Sequence, residues 1–239
     1  MTSVESNSLT VAFQAVINAQ DGVIFAHEAL VRGPHGETSE ALLIEAGEEN
    51  QARLDAEFRA ESLRLARESK LGGKLMVSIL PAALERDPRL IDSLIRLASD
   101  HGIEAEDIVL KISENEIVFD IDAFTRSVQE LRYHGVHFAI GDFGSGFAGL
   151  NLLAEFQPDL VKIDRSLVSG IQGRGPRQAI VRGVTRTCID LGIDVVAEGI
   201  ETAEEFYWFL DEGITLFQGT LLAAPSVGRL SERFALPPL

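Results

Sequence analysis

Val11–Arg32, VAFQAVINAQDGVIFAHEALVR, decides the fold. Two runs rich in β-branched and aromatic residues flank Asp21-Gly22, a tight-turn signal. So short a turn joins antiparallel strands, because a parallel pair needs a crossover of about a dozen residues or more. Next come SEALLIEAGEEN and RLDAEFRAESLRLARESK, which read as helix from apolar residues three and four apart. Strand and helix then alternate. LMVSIL, DIVLKIS, HFAIGDF, LVKID, DVVAEG and TLFQGTLL read as strands. PRLIDSLIRLASDHG, IDAFTRSVQELRYHG, FAGLNLLAEF, PRQAIVRGVTRTCIDLG and TAEEFYWFLDEG read as the helices between them. Gly102, Gly135, Gly192 and Gly213 sit where helices need a left-handed cap. Most strands are almost continuously apolar, as expected when both faces are covered. The pattern predicts an α/β chain folded as a (β/α)8 TIM-like barrel with an antiparallel first strand. An open doubly wound sheet is the alternative, weakened because no Gly-rich dinucleotide turn follows an early strand. Residues 11–230 read as one domain, residues 1–10 as a flexible N-terminus and residues 231–239 as a solvated C-terminal tail.

Composition narrows the function. The chain has 239 residues, 46% of them hydrophobic, and a formal net charge of −16. Mean hydropathy is +0.12, which suits a large core. The charge opposes non-specific binding to nucleic acid, whose phosphates need a Lys/Arg surface. No apolar run reaches membrane-spanning length, so no membrane association is expected. Cys188 stands alone, which rules out an internal disulfide and fits a reducing, cytoplasmic location. It reads as a small buried hydrophobe on its helix.

Polar groups interrupt the apolar strands near their C-terminal ends, where a barrel of this type carries its chemistry. In chain order they are Glu28, Ser78, Lys111, Asp142, Lys162 with Asp164, Glu198 with Glu201, and Gln218. Unpaired charges there are costly, so these groups must pair, ligate or stay wet. A ring of carboxylates suggests a divalent-cation site. Lys111 within that ring argues against one.

EALVR, DFGSG, VKIDRSLV, VVAEGIET and FQG, in this order from about Phe13 to Pro225, resemble the EAL-domain family of cyclic di-GMP phosphodiesterases. The resemblance implies a barrel with an antiparallel first strand. It also implies catalysis by Mg²⁺ or Mn²⁺ ions that polarise the phosphate and activate water. It places the metal cage at Glu28, Ser78, Lys111, Gly141, Asp142 and Glu198. Lys162 would orient the water, with Glu198 or Glu201 in proton transfer or metal support. Three cage positions depart from the family: Ser78 replaces an Asn, Lys111 a Glu, and Gly141 the first of two aspartates. A dication about 4 Å from the Lys111 ammonium would be repelled by about 8 kcal/mol at an effective dielectric near 20. The expectation is therefore no metal cofactor, with Lys111 as a built-in counter-ion for Glu28 and Asp142. If a metal does bind, Glu28, Asp142 and Glu198 would hold Mg²⁺ or Mn²⁺.

The resemblance also implies ligand contacts at Gln14, Leu30, Arg32, Asp164 and Gln218. Arg32 offers the bidentate fork that suits phosphate. Ala15 and Ala224 replace a usual Pro and a frequent basic residue, so weak cyclic di-GMP binding is expected. In Asp142–Leu150, Gly144 and Gly146 with Glu114 resemble the family loop that couples the site to a dimer partner. His27, His35, His101, His134 and His137 form no zinc-like pair. Arg174, Arg177, Arg182 and Arg186 read as a solvated helix face, and Phe206–Leu210 as mostly packed on the barrel. Ser166 has no partners for a nucleophilic triad. These observations favour a catalytically silent regulatory binding module with a protein partner, possible homodimerisation and no nucleic-acid ligand. The alternatives are a weak one-metal phosphodiesterase releasing pGpG and the structural half of a heterodimer.

Overall fold

The computed structural model describes residues 9–87, 89–146, 149–231 and 233–237. β1 (Thr10–Asn18) and β2 (Val23–Arg32) form the expected antiparallel hairpin, with Gln14 opposite Glu28. β2, β3 (Lys74–Ser78), β4 (Ile108–Ser113), β5 (His137–Phe143), β6 (Leu160–Ile163), β7 (Asp194–Ala197) and β8 (Leu216–Phe217) lie side by side in chain order, all parallel. β1 pairs antiparallel with both β8 and β2 and so closes the ring. This is the α/β barrel with an antiparallel first strand that the hairpin predicts. Closure leaves no open edge between β8 and β2.

Helices cover the outside: α1 (Ser39–Ala46), α2 (Glu48–Glu68), α3 (Pro81–Arg86), α4 (Leu90–Asp100), α5 (Ile121–Tyr133), α6 (Gly149–Phe156), α7 (Arg165–Val168), α8 (Gly175–Leu191) and α9 (Ala203–Asp211). Their ends follow local chemistry. Thr202 and Glu205 form a reciprocal capping box at the start of α9. Gly192, with φ 73°, ends α8 in the left-handed conformation. Cys188 is fully buried on α8, and burial pushes its thiol pKa up to about 11, so the thiol is inert at neutral pH.

Two apolar layers hold the barrel. The larger lies between strands and helices. The smaller plugs the barrel interior with Val16, Ala26, Met76, Val109, Ala139, Leu160, Val196 and Leu216, one residue from each strand. Each fully buried Val, Leu or Met of this layer contributes about 1.5–3 kcal/mol of transfer free energy.

Several local readings need correction. The first helical stretch breaks at Gly47, so Glu48–Asn50 open α2 rather than close α1. α3, α7 and a short β9 (Ser226–Val227) on the edge of β1 were not expected. TLFQGTLL is strand only at Leu216–Phe217. Beyond it the chain pairs with a neighbouring loop: Ile200 N–H donates to Gln218 O and Leu221 N–H to Ile200 O. A Cβ at Gly219 would lie 2.0 Å from the Ile200 carbonyl oxygen, so this close approach needs glycine. Two described residues of the C-terminal tail bond to the rest of the chain: Ala235 N–H donates to Leu222 O and the Tyr207 hydroxyl to Pro237 O. Of the expected flexible segment, residues 1–10, Thr10 opens β1 and Leu9 is buried, and residues 1–8 lie outside the described residues. No helix among the described residues is long and apolar enough to cross a membrane.

Candidate functional site

Side chains on one face of a strand recur every two residues. Two residues on from the interior plug, along each parallel strand, stand Glu28, Ser78, Lys111, Gly141, Lys162, Glu198 and Gln218. On antiparallel β1 the equivalent step backwards reaches Gln14. One pleat repeat thus lifts every strand from an apolar plug to a polar layer at the C-terminal mouth. Ser78 stands opposite Lys111, whereas β5 is offset by two residues, so that Gly141 stands opposite Ser113 and Lys111 opposite Ala139.

Glu28 is the centre of that layer and is 1% exposed. Its Oε1 accepts from Lys111 Nζ at 2.6 Å. Its Oε2 accepts from Lys162 Nζ at 2.5 Å and Gln218 Nε2 at 2.9 Å. Lys162, with no exposed surface, also reaches Glu198 Oε2 at 3.1 Å. Burial alone would raise the Glu28 pKa, but the Lys111 and Lys162 ammoniums outweigh it and hold the carboxyl well below its ordinary range. Burial likewise works against the Lys111 ammonium, and Glu28, Glu198 and Asp142 more than compensate, so it stays protonated far above neutral pH. Glu198 behaves oppositely: burial and the nearby Glu28 charge raise its pKa despite Lys162 and Lys111. The result is a compact chain of alternating charges with Glu28 held between two amines.

Asp142 takes a different route. It sits at a break in the β5–β6 register with φ 57°, a left-handed conformation that Asp tolerates. The bulge turns its carboxylate to the Ser113 hydroxyl, 2.6 Å from Oδ2. Lys111 therefore neutralises Glu28 by contact but touches Asp142 only through space. Glu114 follows Ser113 at the end of β4, and its Oε2 reaches the loop after β5, accepting from Gly144 N–H at 2.6 Å and Gly146 N–H at 3.2 Å. Phe147 and Ala148, part of the expected coupling loop, lie outside the described residues.

Other expected site residues are placed as follows. Glu201 is not in the central cluster: its carboxylate pairs with Arg165 Nη2 at 2.6 Å on the rim. Asp164 caps α7 by accepting from Ser166 N–H. Gln14 Nε2 donates to Ala223 O, and Arg32 Nη1 to Val31 O. Leu30 is half-buried on β2. Arg182 and Arg186 pair with Glu212 and Asp190, which fits the solvated-face reading.

A cavity of about 510 Å³ opens beside Lys111. Leu43, Phe58 and Ile79 give it apolar walls, while Glu40, Asp55, Glu116, Asp142 and Asp164 supply carboxylates. Its cations are Arg59 and Lys111, and both are already engaged, by Asp55 and Glu28. Burial raises the Glu116 pKa, and Asp55, Glu40 and Asp142 push it further in the same direction. The mouth is therefore acidic overall.

The donor set does not fit a Mg²⁺ or Mn²⁺ cage. Such ions need several oxygen ligands in fixed geometry. Here both Glu28 oxygens are taken by amines, Gly141 offers no side chain and Asp142 is turned to Ser113. Among the described residues, no three His, Cys, Asp or Glu side chains converge on one point.

The EAL domain family pattern matches residues 1–225. The chain belongs to the EAL domain family. It is 32% identical over 213 residues to the blue light- and temperature-regulated antirepressor BluF of Escherichia coli (strain K12), covering 89% of this chain and 53% of BluF. This EAL domain thus spans about half the length of that relative. It also superposes on a standalone versatile EAL protein from Vibrio cholerae O395, solved with c-di-GMP bound, with TM-score 0.89 and 33% identity over 98% of each chain. Klebsiella pneumoniae BlrP1 is similar in two states. Its calcium/cy-diGMP complex gives TM-score 0.88 and 35% identity over 98% of this chain and 60% of that one. Its complex with FMN and cyclic diGMP, without metal ions, gives 0.81 and 31% over 98% and 58%.

Sequence reasoning missed Ser113, Arg165 and the buried Asp55–Arg59 pair. Ser113 was within reach, because it shares the inward face of β4 with Lys111 two residues earlier. Arg165 holds Gly199 O, Glu201 and Glu205 together. Nothing local announces that role.

Proposed function

We propose that this EAL domain is catalytically silent and acts as a regulatory binding module in cyclic di-GMP signalling. A protein partner is its principal ligand, and cyclic di-GMP binds weakly at the mouth. The observation that carries the reading is the Lys111 ammonium, 2.6 Å from Glu28 Oε1, in a position where the family resemblance implies a metal-binding carboxylate. An amine neutralises Glu28 but supplies no Lewis acidity and no lowered water pKa. The acidic mouth, without bound cations, also repels a ligand carrying two phosphates. The description of BluF as an antirepressor supports the reading, since it names a regulator rather than a hydrolase. Action in the cytoplasm and a homodimeric state belong to the same proposal, and neither nucleic acid nor membrane is part of it.

A second reading is supported by the retained Glu28, Asp142, Lys162 and Glu198: a weak phosphodiesterase using one Mg²⁺ or Mn²⁺ ion. One assay separates the two. The purified chain is incubated with cyclic di-GMP and excess Mn²⁺, and linear pGpG is sought by chromatography. The expected result is no product above the protein-free rate. Product that disappears in the Glu198→Gln variant establishes the phosphodiesterase instead.

A further inference from the structure

We infer that Lys111 and Gly141 are one co-dependent unit: the glycine leaves the slot through which the Lys111 stem reaches Glu28, and the stem bars a carboxylate from position 141.

The two residues stand on neighbouring strands in the same polar layer, two residues beyond Val109 and Ala139 of the interior plug. Backbone conformation does not call for glycine at 141, because its φ is not in the left-handed region. Space does. A Cβ built there would lie 2.8 Å from Lys111 Cδ, 3.1 Å from Cγ and 3.4 Å from Cε. Real Cβ contacts do not come that close to a methylene, so something has to move. The contact is with the middle of the stem, and the far end is fixed by the 2.6 Å bond to Glu28 Oε1. Shifting the stem away from a methyl group at 141 draws the ammonium off Glu28. An aspartate at 141 brings the same Cβ and a carboxylate as well. The two departures from the family are therefore not independent losses. With lysine at 111, a carboxylate at 141 is sterically excluded; with glycine at 141, the amine has its path.

This inference rests on the silent-domain reading for its functional meaning, but its test is separate. A double-mutant cycle in the full chain compares Gly141→Ala in three backgrounds: unmodified, Lys111→Met and Lys111→Ala. Overpacking should lower the melting temperature of the unmodified chain by about 4 °C or more. The drop should shrink with Lys111→Met, whose stem Glu28 no longer holds in place, and vanish with Lys111→Ala, which removes the stem. Mn²⁺ titration followed by electron paramagnetic resonance gives the second arm. The Lys111→Ala/Gly141→Asp variant should hold Mn²⁺ at least about tenfold more tightly than Gly141→Asp alone. Equal melting losses in all three backgrounds, or equal Mn²⁺ affinity with and without Lys111, overturns the unit. Hydrolysis by the unmodified chain would remove the silent-domain reading and leave the cycle unaffected.

Discussion

Glu28→Gln is expected to lower the unfolding free energy by about 3–5 kcal/mol, the usual cost of removing one partner from a buried ion cluster. The substitution keeps the shape and removes the charge that holds two amines. Lys162 then retains Glu198 at 3.1 Å as its ion-pair partner, and Lys111 loses its ion pair with position 28. For a chain of this size the change is roughly 10 °C or more in melting temperature. The pH dependence identifies the cause. The folded-state pKa of Glu28 lies below its ordinary value of 4.5, so its stabilisation is present above that value and lost as pH falls through the folded pKa. The difference between the two proteins is therefore largest above pH 4.5 and shrinks on acidification. Glu198 runs the other way, because a raised carboxyl pKa favours the fold at low pH, and removing the Glu28 charge weakens that shift in the variant. Denaturant melts at neutral and acid pH measure the difference directly. A variant as stable as the parent at neutral pH would mean that desolvation of the cluster cancels its attraction.

Ser78→Asn, Lys111→Glu and Gly141→Asp together are expected to raise cyclic di-GMP hydrolysis at least about a hundredfold above the unmodified chain, and only with Mg²⁺ or Mn²⁺. The physical reason is the layer itself. All three positions face the mouth from adjacent strands, beside the retained Glu28, Asp142, Lys162 and Glu198. Without metal, the reverted layer gathers carboxylates with too few cations, so its melting temperature should fall in EDTA and recover with Mn²⁺. A bound ion at a hundred times its dissociation constant returns about 2.7 kcal/mol. Product formation that stays at the background level, with Mn²⁺ demonstrably bound, would place the defect elsewhere, with the rim pairing of Glu201 as the next position to test.

The barrel was legible because its signals are local and repeated. The hairpin turn at Asp21-Gly22, the apolar strands and the glycine caps each state one element, and closure follows from their order. The polar layer was legible for a related reason: Glu28, Lys111, Lys162 and Gln218 interrupt apolar runs where only pairing makes a buried charge tolerable. What escaped depends on contacts between distant segments. Asp55 and Arg59, four residues apart on α2, read as an ordinary surface pair, yet both are nearly fully buried beside the cavity. Their burial is set by packing of α2 against strands far away in sequence. The pairing of Asp142 with Ser113 depends on a strand bulge that leaves no composition signal. Glu201 shares a motif with Glu198 but turns to Arg165, a residue 36 positions earlier in the chain. The tight fit of Gly141 against Lys111 likewise exists only once β4 and β5 are side by side.

Titration of the unmodified chain with Mn²⁺ tests most directly whether an amine occupies the place of a cation. The expected result is no saturable site at millimolar Mn²⁺ and no change in melting temperature. Stoichiometric, tight Mn²⁺ binding that is lost in the Glu28→Gln variant would contradict the account, because Glu28 would then have exchanged Lys111 for the metal.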